Sequence, residues 1–268
     1  MAGQTVLVTG STDGIGRATA RALAERGCAV IVHGRAEQRA GEAASELAAA
    51  TGSPNVTWVS GDFGSLAEVR AMAERILRTC PRLDVLINNA GIAVRDREVS
   101  ADGYESTLAV NHLAPFLLTS LLLERLRESA PARIVNVSSG VHSSGRIDFN
   151  DLQMERGFDG WHAYCNSKLA NALFTCELAR RVDAAEVTAN FLHPGVIDTK
   201  LLHVNFGGGS PVATGARTPV YLALDPEVAD VTGAYFVDRR RARASSAAGN
   251  RRLARELWRV SEELTGLA

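Results

Sequence analysis

The sequence has few cysteines, almost no net charge and no apolar run long enough to cross a bilayer. Its four cysteines include no C-x-x-C pair, which predicts a reducing compartment and no metal site. A formal net charge of −1 argues against nucleic acid or an anionic membrane surface as the main partner. The most apolar stretch, residues 113–123, contains Pro115 and is too short to span a bilayer, so we expect a buried helix there.

The rest of the composition is that of a globular protein. Hydrophobic residues make up 46% of the 268 positions and charged residues 22%, which is enough to bury a large core. No internal repeat or low-complexity linker divides the chain, so we expect one domain over residues 1–268. Met1 stands only a few residues before the first predicted strand, and we therefore expect no signal peptide or membrane anchor and a cytoplasmic location.

Short β-branched runs alternate with longer helical patterns, which predicts an α/β fold with a single doubly wound parallel sheet of about seven strands and helices on both faces. The predicted strands are Thr5–Thr9, Ala29–His33, Val56–Ser60, Val85–Asn88, Arg133–Val137, Val187–Leu192 and Ala234–Val237. The predicted helices are Ile15–Arg26, Arg35–Ala50, Leu66–Thr79, Ala101–Glu128 and Trp161–Val182.

Two long segments, Gly140–Gly160 and Val196–Pro219, interrupt this alternation. Both follow predicted strands, and doubly wound sheets bind ligands at the carboxyl ends of their strands. We therefore expect both segments to form substrate loops, with surface loops of no functional role as the alternative. Within the second segment we expect Leu201–Pro211 to be a mobile lid, because three consecutive glycines give it backbone freedom. A permanently docked segment is the alternative.

A glycine-rich turn follows the first predicted strand, with Gly10, Gly14 and Gly16 at its three key positions. Gly10 suits a tight turn, Gly14 leaves no side chain between the backbone amides and a phosphate, and Gly16 allows the next helix to pack closely. The amino end of that helix attracts an anion. The turn therefore predicts a dinucleotide site.

A second pattern, Tyr164-Cys-Asn-Ser-Lys168, places a phenol and an ammonium on one face of a helix. A free phenol has a pKa of about 10, which is too high for a good base at neutral pH. We expect the Lys168 ammonium, together with a positively charged nicotinamide, to lower that pKa. This predicts Tyr164 as the acid/base of a hydride-transfer reaction.

These motifs, in order and across nearly the whole chain, resemble the short-chain dehydrogenase/reductase family, which implies a Rossmann fold. Finer details such as Val110-Asn-His-Leu are similar to the family's retinol-dehydrogenase-like branch. Membrane-bound members of that branch carry an amino-terminal anchor; the sequence shows none and resembles a soluble bacterial member. The motifs that carry the resemblance are Thr9-Gly10-x-x-x-Gly14-x-Gly16, Asn88-Asn89-Ala90-Gly91, Asn111, Ser138-Ser139, Tyr164-x-x-x-Lys168 and Pro194-Gly195.

The resemblance implies four catalytic residues: Asn111, Ser139, Tyr164 and Lys168. Ser139 would hold the substrate oxygen, with Ser138 as the rival position. Lys168 would also bind the nicotinamide ribose, and Asn111 would hold a water that links Lys168 to solvent. A tolerated polar residue is the alternative for Asn111. Pro115 leaves the Asn111 carbonyl without its helical donor, which predicts a kink there.

The resemblance also implies the coenzyme-binding residues. Asp62 would accept from the adenine amine, with a helix amino cap near Ser65 as the alternative, and Thr199 would contact the nicotinamide side. The remaining implied contacts come from the glycine turn, the end of the second strand and later loops: Gly10, Ser11, Thr12, Asp13, Gly14, Ile15, Gly16, Arg17, Arg35, Phe63, Asn89, Ala90, Gly91, Tyr164, Lys168, Pro194, Gly195 and Val196.

Charge at the end of the second strand favours NADP(H) over NAD(H). An NAD site needs a carboxylate there for the ribose hydroxyl, but His33-Gly34-Arg35 is followed by no acidic residue until Glu37. Arg17 and Arg35 instead supply guanidinium groups that match a 2′-phosphate. Arg39 lies one turn beyond Arg35, and by itself it is better explained as an exposed helix residue.

The sequence therefore predicts an oxidoreductase that transfers a hydride between NADP(H) and a small hydrophobic carbonyl or alcohol. A C=C or C=N reductase and a non-catalytic dinucleotide-sensing module are the alternatives, and a homo-oligomer is left open. Five of the six histidines, at 112, 142, 162, 193 and 203, show no metal-ligand spacing and are expected to be structural or to line the pocket. The residues expected to line the substrate pocket are Ser139, Val141, Phe158, Trp161, Leu201, Leu202 and Phe206.

Overall fold

The computed structural model of the chain describes residues 3–205 and 207–268. It contains one eight-stranded sheet in the order β3-β2-β1-β4-β5-β6-β7-β8, which confirms the doubly wound α/β fold. The first seven strands are parallel, and β8 pairs antiparallel to β7. The strands are Thr5–Val8 (β1), Ala29–Gly34 (β2), Val56–Ser60 (β3), Val85–Asn88 (β4), Ala132–Val137 (β5), Val187–His193 (β6), Tyr235–Val237 (β7) and Arg240–Ala242 (β8).

Helices connect the strands and cover both faces of the sheet. The α-helices are Gly14–Ala24 (α1), Glu37–Thr51 (α2), Leu66–Thr79 (α3), Ser106–Leu108 (α4), Ala114–Glu128 (α5), Gly160–Arg181 (α6), Lys200–Asn205 (α7), Val212–Leu224 (α8) and Arg251–Thr265 (α9). A π-helical turn, Ala109–Leu113, joins α4 to α5, and 3₁₀ turns span Gly140–Ser144 and Pro226–Val228.

The core lies in two layers because side chains alternate along each buried strand. In β1, Val6 and Val8 pack with helices α1, α2 and α8 on one face. Leu7 packs on the opposite face with α3, α5 and α6, where Trp258 of α9 joins the same cluster. This two-sided burial explains why the strands read as continuous apolar runs.

The helix predicted over Ala101–Glu128 begins only at Ser106. From there to Glu128 it is, within the described part of the chain, the one helix long and apolar enough to cross a membrane. This corrects the expectation drawn from residues 113–123 alone that no stretch is long enough, but most of the helix is buried inside the protein, as expected. Its interior changes to π-helical geometry at Ala109–Leu113. This is where Pro115 predicted a kink, because proline cannot donate the bond that would continue the α-helix.

The segment Val196–Pro219 was predicted to be a loop. The structure instead contains α7 and the first part of α8 there. The sequence signal for α8 is weak because Gly215 and Pro219 both lie inside the helix. Gly215 has a packing role, since a Cβ there would lie 2.9 Å from side-chain atoms of both Ile15 and Ile197. The predicted elements also omit α9 and β8.

Candidate active site

A cavity of about 1860 Å³ opens along the carboxyl ends of the parallel strands. Its volume exceeds the roughly 300–1,000 Å³ of an ordinary small-molecule pocket, so it has room for a dinucleotide and a second ligand together. Its walls include residues at or just after the ends of six strands: Gly10, Arg35, Asp62, Asn89, Ser139 and Pro194.

The glycine turn is shaped for a large ligand. Gly10 has a φ of +63°, in the left-handed region that favours glycine, and a Cβ there would lie 2.8 Å from the Cα of Ala90. A Cβ on Gly16 would lie 2.3 Å from the Gly10 carbonyl oxygen and 2.5 Å from Asn89 Nδ2. The close approach of α1 to β1 therefore depends on glycine, and the turn fits a dinucleotide pyrophosphate at the amino end of α1.

The His33 ring accepts a hydrogen bond from the glycine turn, a role that its position in the sequence alone did not reveal. The Gly10 amide donates to its Nδ1 at 3.0 Å, and Nε2 lies 3.0 Å from the Gly61 carbonyl oxygen. These partners require an unprotonated Nδ1 and a protonated Nε2. Burial lowers the pKa of His33 to about 4, so the ring is neutral at physiological pH. Phe63, which lines the cavity, stacks on it with ring centroids 4.6 Å apart.

Two further side chains hold β1 to its neighbours. The Thr9 hydroxyl accepts from the amides of Asn89 and Ala90 at 2.9 and 3.0 Å, while Asn89 Nδ2 donates to the Thr9 carbonyl at 2.8 Å. Ser11 is buried, and its hydroxyl donates to the Val8 carbonyl and accepts from the His33 amide. Ser11 therefore lies beneath the cavity rather than on its wall, unlike its predicted neighbours Thr12, Asp13, Gly14 and Ile15, which line it.

Three arginines lie where α1, α2 and the turn after β2 border the cavity. Arg17, Arg35 and Arg39 all line it and are largely exposed. Arg17 pairs with Glu46 of α2 at 2.7 Å. Arg39 is also close enough for its charge to help lower the pKa of Asp13, whose shift comes mainly from its hydrogen bond with Lys200.

Asp62 is not the amino cap of α3, which was its alternative interpretation. Ser65 caps the helix by accepting from the Glu68 amide. The Asp62 carboxylate instead accepts from the Gly64 amide at 2.8 Å, and the residue lines the cavity beside Phe63. Ala90 and Gly91 line the next part of the wall.

Ser139 and Tyr164 meet on the cavity wall. Ser139 caps the 3₁₀ turn after β5, and Tyr164 lies on the first half of α6. Their side chains are hydrogen-bonded, which lowers the pKa of the phenol, but burial raises that pKa by more. The rival Ser138 is buried, and its hydroxyl donates to the Lys168 carbonyl at 2.8 Å. The structure therefore places Ser139, and not Ser138, beside the phenol.

Lys168 is buried behind Tyr164, with Nζ 5.4 Å from the centre of the phenol ring and 3.1 Å from the Val137 carbonyl oxygen, to which it donates. Burial lowers the pKa of Lys168 to about 8. The prediction that Lys168 and a positively charged nicotinamide together lower the pKa of Tyr164 stays a prediction; in the protein alone that pKa is raised. The cause is desolvation of the phenolate, which outweighs the Ser139 hydrogen bond.

Asn111 lies in the π-helical turn and is fully buried. Its side chain accepts from the Ile92 amide at 2.8 Å and donates to the Ile92 carbonyl at 2.9 Å and the Ser167 hydroxyl at 3.0 Å. A Cβ on Gly91 would lie 3.3 Å from Asn111 Oδ1 and 3.4 Å from Lys168 Nζ. Asn111 thus joins the loop after β4 to the catalytic helix, next to the Lys168 ammonium, and is not merely a tolerated polar residue.

The segment after β6 forms the opposite wall. The residues of this segment that line the cavity are Pro194, Gly195, Val196 and Thr199. Thr199 also lies close to the glycine turn, since a Cβ added at Gly14 would be 3.4 Å from Thr199 Cγ2. From α7, Lys200 reaches across to Asp13 at 2.6 Å. The segment closes on itself where Ile197 and Ser210 form a parallel bridge, with Asp198 N donating to the Ser210 carbonyl at 2.8 Å.

The predicted substrate wall is largely assembled. Val141, Trp161, Leu201 and Leu202 line the cavity, whereas Phe158 does not. The predicted residue Phe206 lies outside the described residues. His193 also lines the cavity, and burial lowers its pKa. Within residues 3–205 and 207–268, no group of three or more His, Cys, Asp or Glu side chains is arranged to hold a metal ion.

Sequence relatives match nearly the full length of the chain. The profile of the short chain dehydrogenase family matches residues 4–206. Human retinol dehydrogenase 14 is 42% identical over 294 residues, covering 100% of this chain and 88% of that protein. Mouse retinol dehydrogenase 12 is 43% identical over 275 residues, covering 99% of this chain and 87% of that protein.

Solved structures share the fold. An uncharacterised protein from Mycobacterium paratuberculosis superposes with a TM-score of 0.82 at 34% identity, covering 99% of this chain and 94% of that one. A short chain dehydrogenase from Escherichia coli CFT073, solved with NADPH, superposes with a TM-score of 0.74 at 28% identity, covering 90% and 98%. The chain therefore belongs to the short-chain dehydrogenase family and is an oxidoreductase with retinol dehydrogenases among its relatives.

Proposed function

We propose that this protein catalyses NADP(H)-dependent reduction of a hydrophobic aldehyde or ketone, or the reverse oxidation of the alcohol. The observation that carries the proposal is that Ser139, Tyr164 and Lys168 meet on one wall of the cavity that also contains the glycine turn. A dinucleotide-sensing module would need the turn but not these three side chains. Their convergence favours catalysis over sensing.

Side chains of the protein would supply the proton that the substrate oxygen takes up during reduction. The bound coenzyme supplies or accepts the hydride. The Ser139 hydroxyl holds the substrate oxygen, and the Tyr164 phenol donates a proton to it during reduction. Because burial raises the pKa of Tyr164 in the protein alone, the phenol is protonated and ready to donate. Lys168, which donates to the Val137 carbonyl, would pass a proton back to Tyr164 after reduction, and that proton is replaced from solvent.

Charge around the adenosine end supports NADP(H) over NAD(H). Arg17 and Arg35 line the cavity near the end of β2, where an NAD site would present a carboxylate. Two similar short chain dehydrogenases, from Escherichia coli and Shigella flexneri, were solved with NADPH and NADP. A guanidinium matches a 2′-phosphate in charge and geometry, so Arg35 is the residue on which the preference depends most.

Apolar side chains support a lipid-like substrate. Val141, Trp161, Leu201 and Leu202 surround the catalytic end of the cavity, and apolar walls with a few polar groups are typical of sites for hydrophobic ligands. Relatives about 42% identical are named retinol dehydrogenases, which favours a long conjugated or aliphatic aldehyde or alcohol. The cytoplasmic location and the single domain stay predictions.

The test is coenzyme oxidation followed by absorbance against a panel of hydrophobic aldehydes, ketones, enones and charged keto acids. We expect turnover of the hydrophobic aldehydes and ketones, and a higher kcat/KM with NADPH than with NADH. Preference for enones would favour a C=C reductase, and preference for keto acids would contradict the apolar pocket. NADPH binding without any turnover would favour the sensing module.

The coenzyme preference is tested separately by Arg35→Ala. We expect this variant to lose affinity for NADPH while keeping its affinity for NADH, because only the 2′-phosphate contact is removed. Arg252→Ala is the matched control, since Arg252 is equally exposed but lies at the start of α9. A wild type that uses NADH better than NADPH would show the charge argument to be wrong.

A further inference from the structure

His142 lies three residues after Ser139, on the 3₁₀ turn that Ser139 caps, and only 2% of its surface is exposed. Its Nδ1 is 2.7 Å from the Ser139 carbonyl oxygen. Its Nε2 is 3.2 Å from the backbone nitrogen of Ser245, which donates to it. Both ring nitrogens therefore have a backbone partner, one beside the catalytic serine and one 103 residues further along the chain.

These partners determine the tautomer of the ring. A carbonyl oxygen can only accept and a backbone amide can only donate, so Nδ1 carries the proton and Nε2 carries the lone pair. The neutral ring is satisfied at both ends in a buried setting. A protonated ring would set Nε2–H against the Ser245 amide, which also donates.

His142 fixes the backbone of Ser139 through two donors. Its own amide donates to the Ser139 carbonyl at 3.2 Å and its ring Nδ1 donates to the same oxygen at 2.7 Å. On the side-chain end, the Ser139 hydroxyl accepts from the Val141 amide at 3.4 Å and is hydrogen-bonded to Tyr164. The orientation of the hydroxyl toward the phenol thus depends on a backbone that His142 holds.

The ring is itself held by the carboxyl-terminal part of the chain. It packs edge-on against Tyr235 and Phe191, with centroids 4.9 and 6.0 Å away. Ala247 and Ala248, just after Ser245, pack in the same cluster as those two aromatic residues. All of these except Phe191 lie beyond residue 206, where the family match ends.

We propose that His142 is a positioning residue that aligns the Ser139 hydroxyl with Tyr164 and connects this alignment to the carboxyl-terminal segment through Ser245. The inference rests on the proposed function, in which Ser139 holds the substrate oxygen. It assigns a role in turnover to a histidine that does not line the cavity, and to a segment outside the family match.

Three variants separate the two hydrogen bonds of the ring. His142→Asn places an amide nitrogen near the Nδ1 position, so it keeps the donor to Ser139 and loses the acceptor for Ser245. His142→Gln places an amide oxygen near the Nε2 position and keeps the acceptor alone. His142→Phe keeps a ring for packing against Tyr235 and loses both bonds.

We expect His142→Phe to lower kcat by about 10- to 100-fold, as a small misplacement of a catalytic group does, with KM for NADPH unchanged. His142→Asn should recover only part of kcat, because it keeps the bond to Ser139 and loses the connection to Ser245, and His142→Gln should recover less. Val228→Ala, a core change on the opposite face of the sheet, is the control for lost stability and should leave kcat unchanged at matched temperature below its Tm.

Two results would overturn the inference. Equal kcat in the Asn, Gln and Phe variants, falling only in step with Tm, would mean that the ring is merely structural. Crystal structures of wild type and His142→Phe with NADPH give a readout independent of turnover: an unchanged contact between Ser139 Oγ and Tyr164 Oη in the variant would contradict positioning. If the wild type turns over no carbonyl compound, the proposed function fails, but this structural comparison still decides the role of His142.

Discussion

The glycine turn and the segment from Val196 to Pro211 face each other across one cavity, but different contacts hold them. The turn is fixed by hydrogen bonds that the buried side chains of His33 and Thr9 accept. The opposite segment is attached by contacts that water reaches, among them the Lys200–Asp13 ion pair and the hydrogen bond from Arg95 Nε to the Val204 carbonyl. Exposed ion pairs contribute only about 0–1 kcal/mol each, whereas buried polar groups are costly to leave unpaired.

The difference indicates that the two walls of the site differ in how firmly they are held. The wall with the glycine turn has little freedom at Gly10 and Gly16, because backbone atoms lie where a Cβ would go. The opposite wall is joined to that turn through the exposed Lys200–Asp13 pair, which can break at little cost in free energy. The predicted lid motion of Leu201–Pro211 stays a prediction, but the kind of contact that holds the segment is the kind that breaks easily.

The strongest test of the fixed wall is Tyr164→Phe. The variant removes the proton donor and leaves the ring in place, so we expect kcat to fall by about 10²- to 10⁴-fold. Coenzyme affinity, measured by fluorescence titration, should stay within about twofold of wild type, because the phenol hydroxyl contributes little to binding. Turnover at the wild-type level would move the proton transfer to another residue.

Gly16→Ala tests whether the turn has any room to adjust. The new Cβ would fall 2.3 Å from the Gly10 carbonyl oxygen, and backbone cannot move aside as a flexible side chain can. We expect loss of measurable NADPH binding and a lower Tm. Gly157→Ala is the matched control, since a Cβ there meets nothing within 4 Å, and it should bind NADPH normally. Normal binding by Gly16→Ala would show that the fixed wall is adjustable after all.

Acid should weaken the fixed wall through His33. Its pKa is about 4 in the folded protein and 6.5 in a free side chain, so the unfolded chain takes up a proton first as the pH falls. Stability from this group is complete above pH 6.5 and is lost toward pH 4, by up to about 3 kcal/mol. Denaturant unfolding at several pH values measures the loss.

His33→Asn keeps an acceptor for the Gly10 amide without a group that titrates in this range, and it should show a shallower loss of stability below pH 6.5. His162→Asn is the control, because His162 is exposed and lies at the start of α6. Buried His112, whose pKa burial also lowers to about 4, should account for part of the slope that remains. An identical slope in His33→Asn and wild type would contradict the assignment to His33.

The smallest effect is expected at the adjustable wall. Lys200→Met removes the exposed pair with Asp13, and we expect NADPH to dissociate about two- to fivefold faster at low salt, with the difference from wild type vanishing at high salt. Stopped-flow displacement measures the rate, with Arg241→Met as a control at a distant exposed cation. An increase of a hundredfold would mean that this wall is as firmly held as the other.

Site residues could be predicted from the sequence where their partners lie close by along the chain. Tyr164 and Lys168 could be predicted because their relation is one helical turn, and the glycine turn because its residues are consecutive. His33 and His142 could not, since their partners Gly61 and Ser245 lie 28 and 103 residues away. The rise that burial causes in the pKa of Tyr164 could not be predicted for a related reason: burial depends on the whole fold.

The fold shows the same limit. Apolar strands such as Val85–Asn88 were predictable because both faces of the sheet are covered. Helix α8 was not, because Gly215 and Pro219 lower its local propensity and tertiary packing against α1 compensates. Strand β8 has only three residues and exists through its pairing with β7.

The bridge between Ile197 and Ser210 has a consequence for exchange of sequence. Because the two ends are already joined by backbone hydrogen bonds, the twelve or so residues between them can differ in length and composition at a modest entropic cost. We therefore expect residues 200–208, which exclude Thr199, to be exchangeable beside an unchanged reaction centre. Grafting these residues from a relative with another substrate should transfer preference for size and shape while leaving the chemistry as it is.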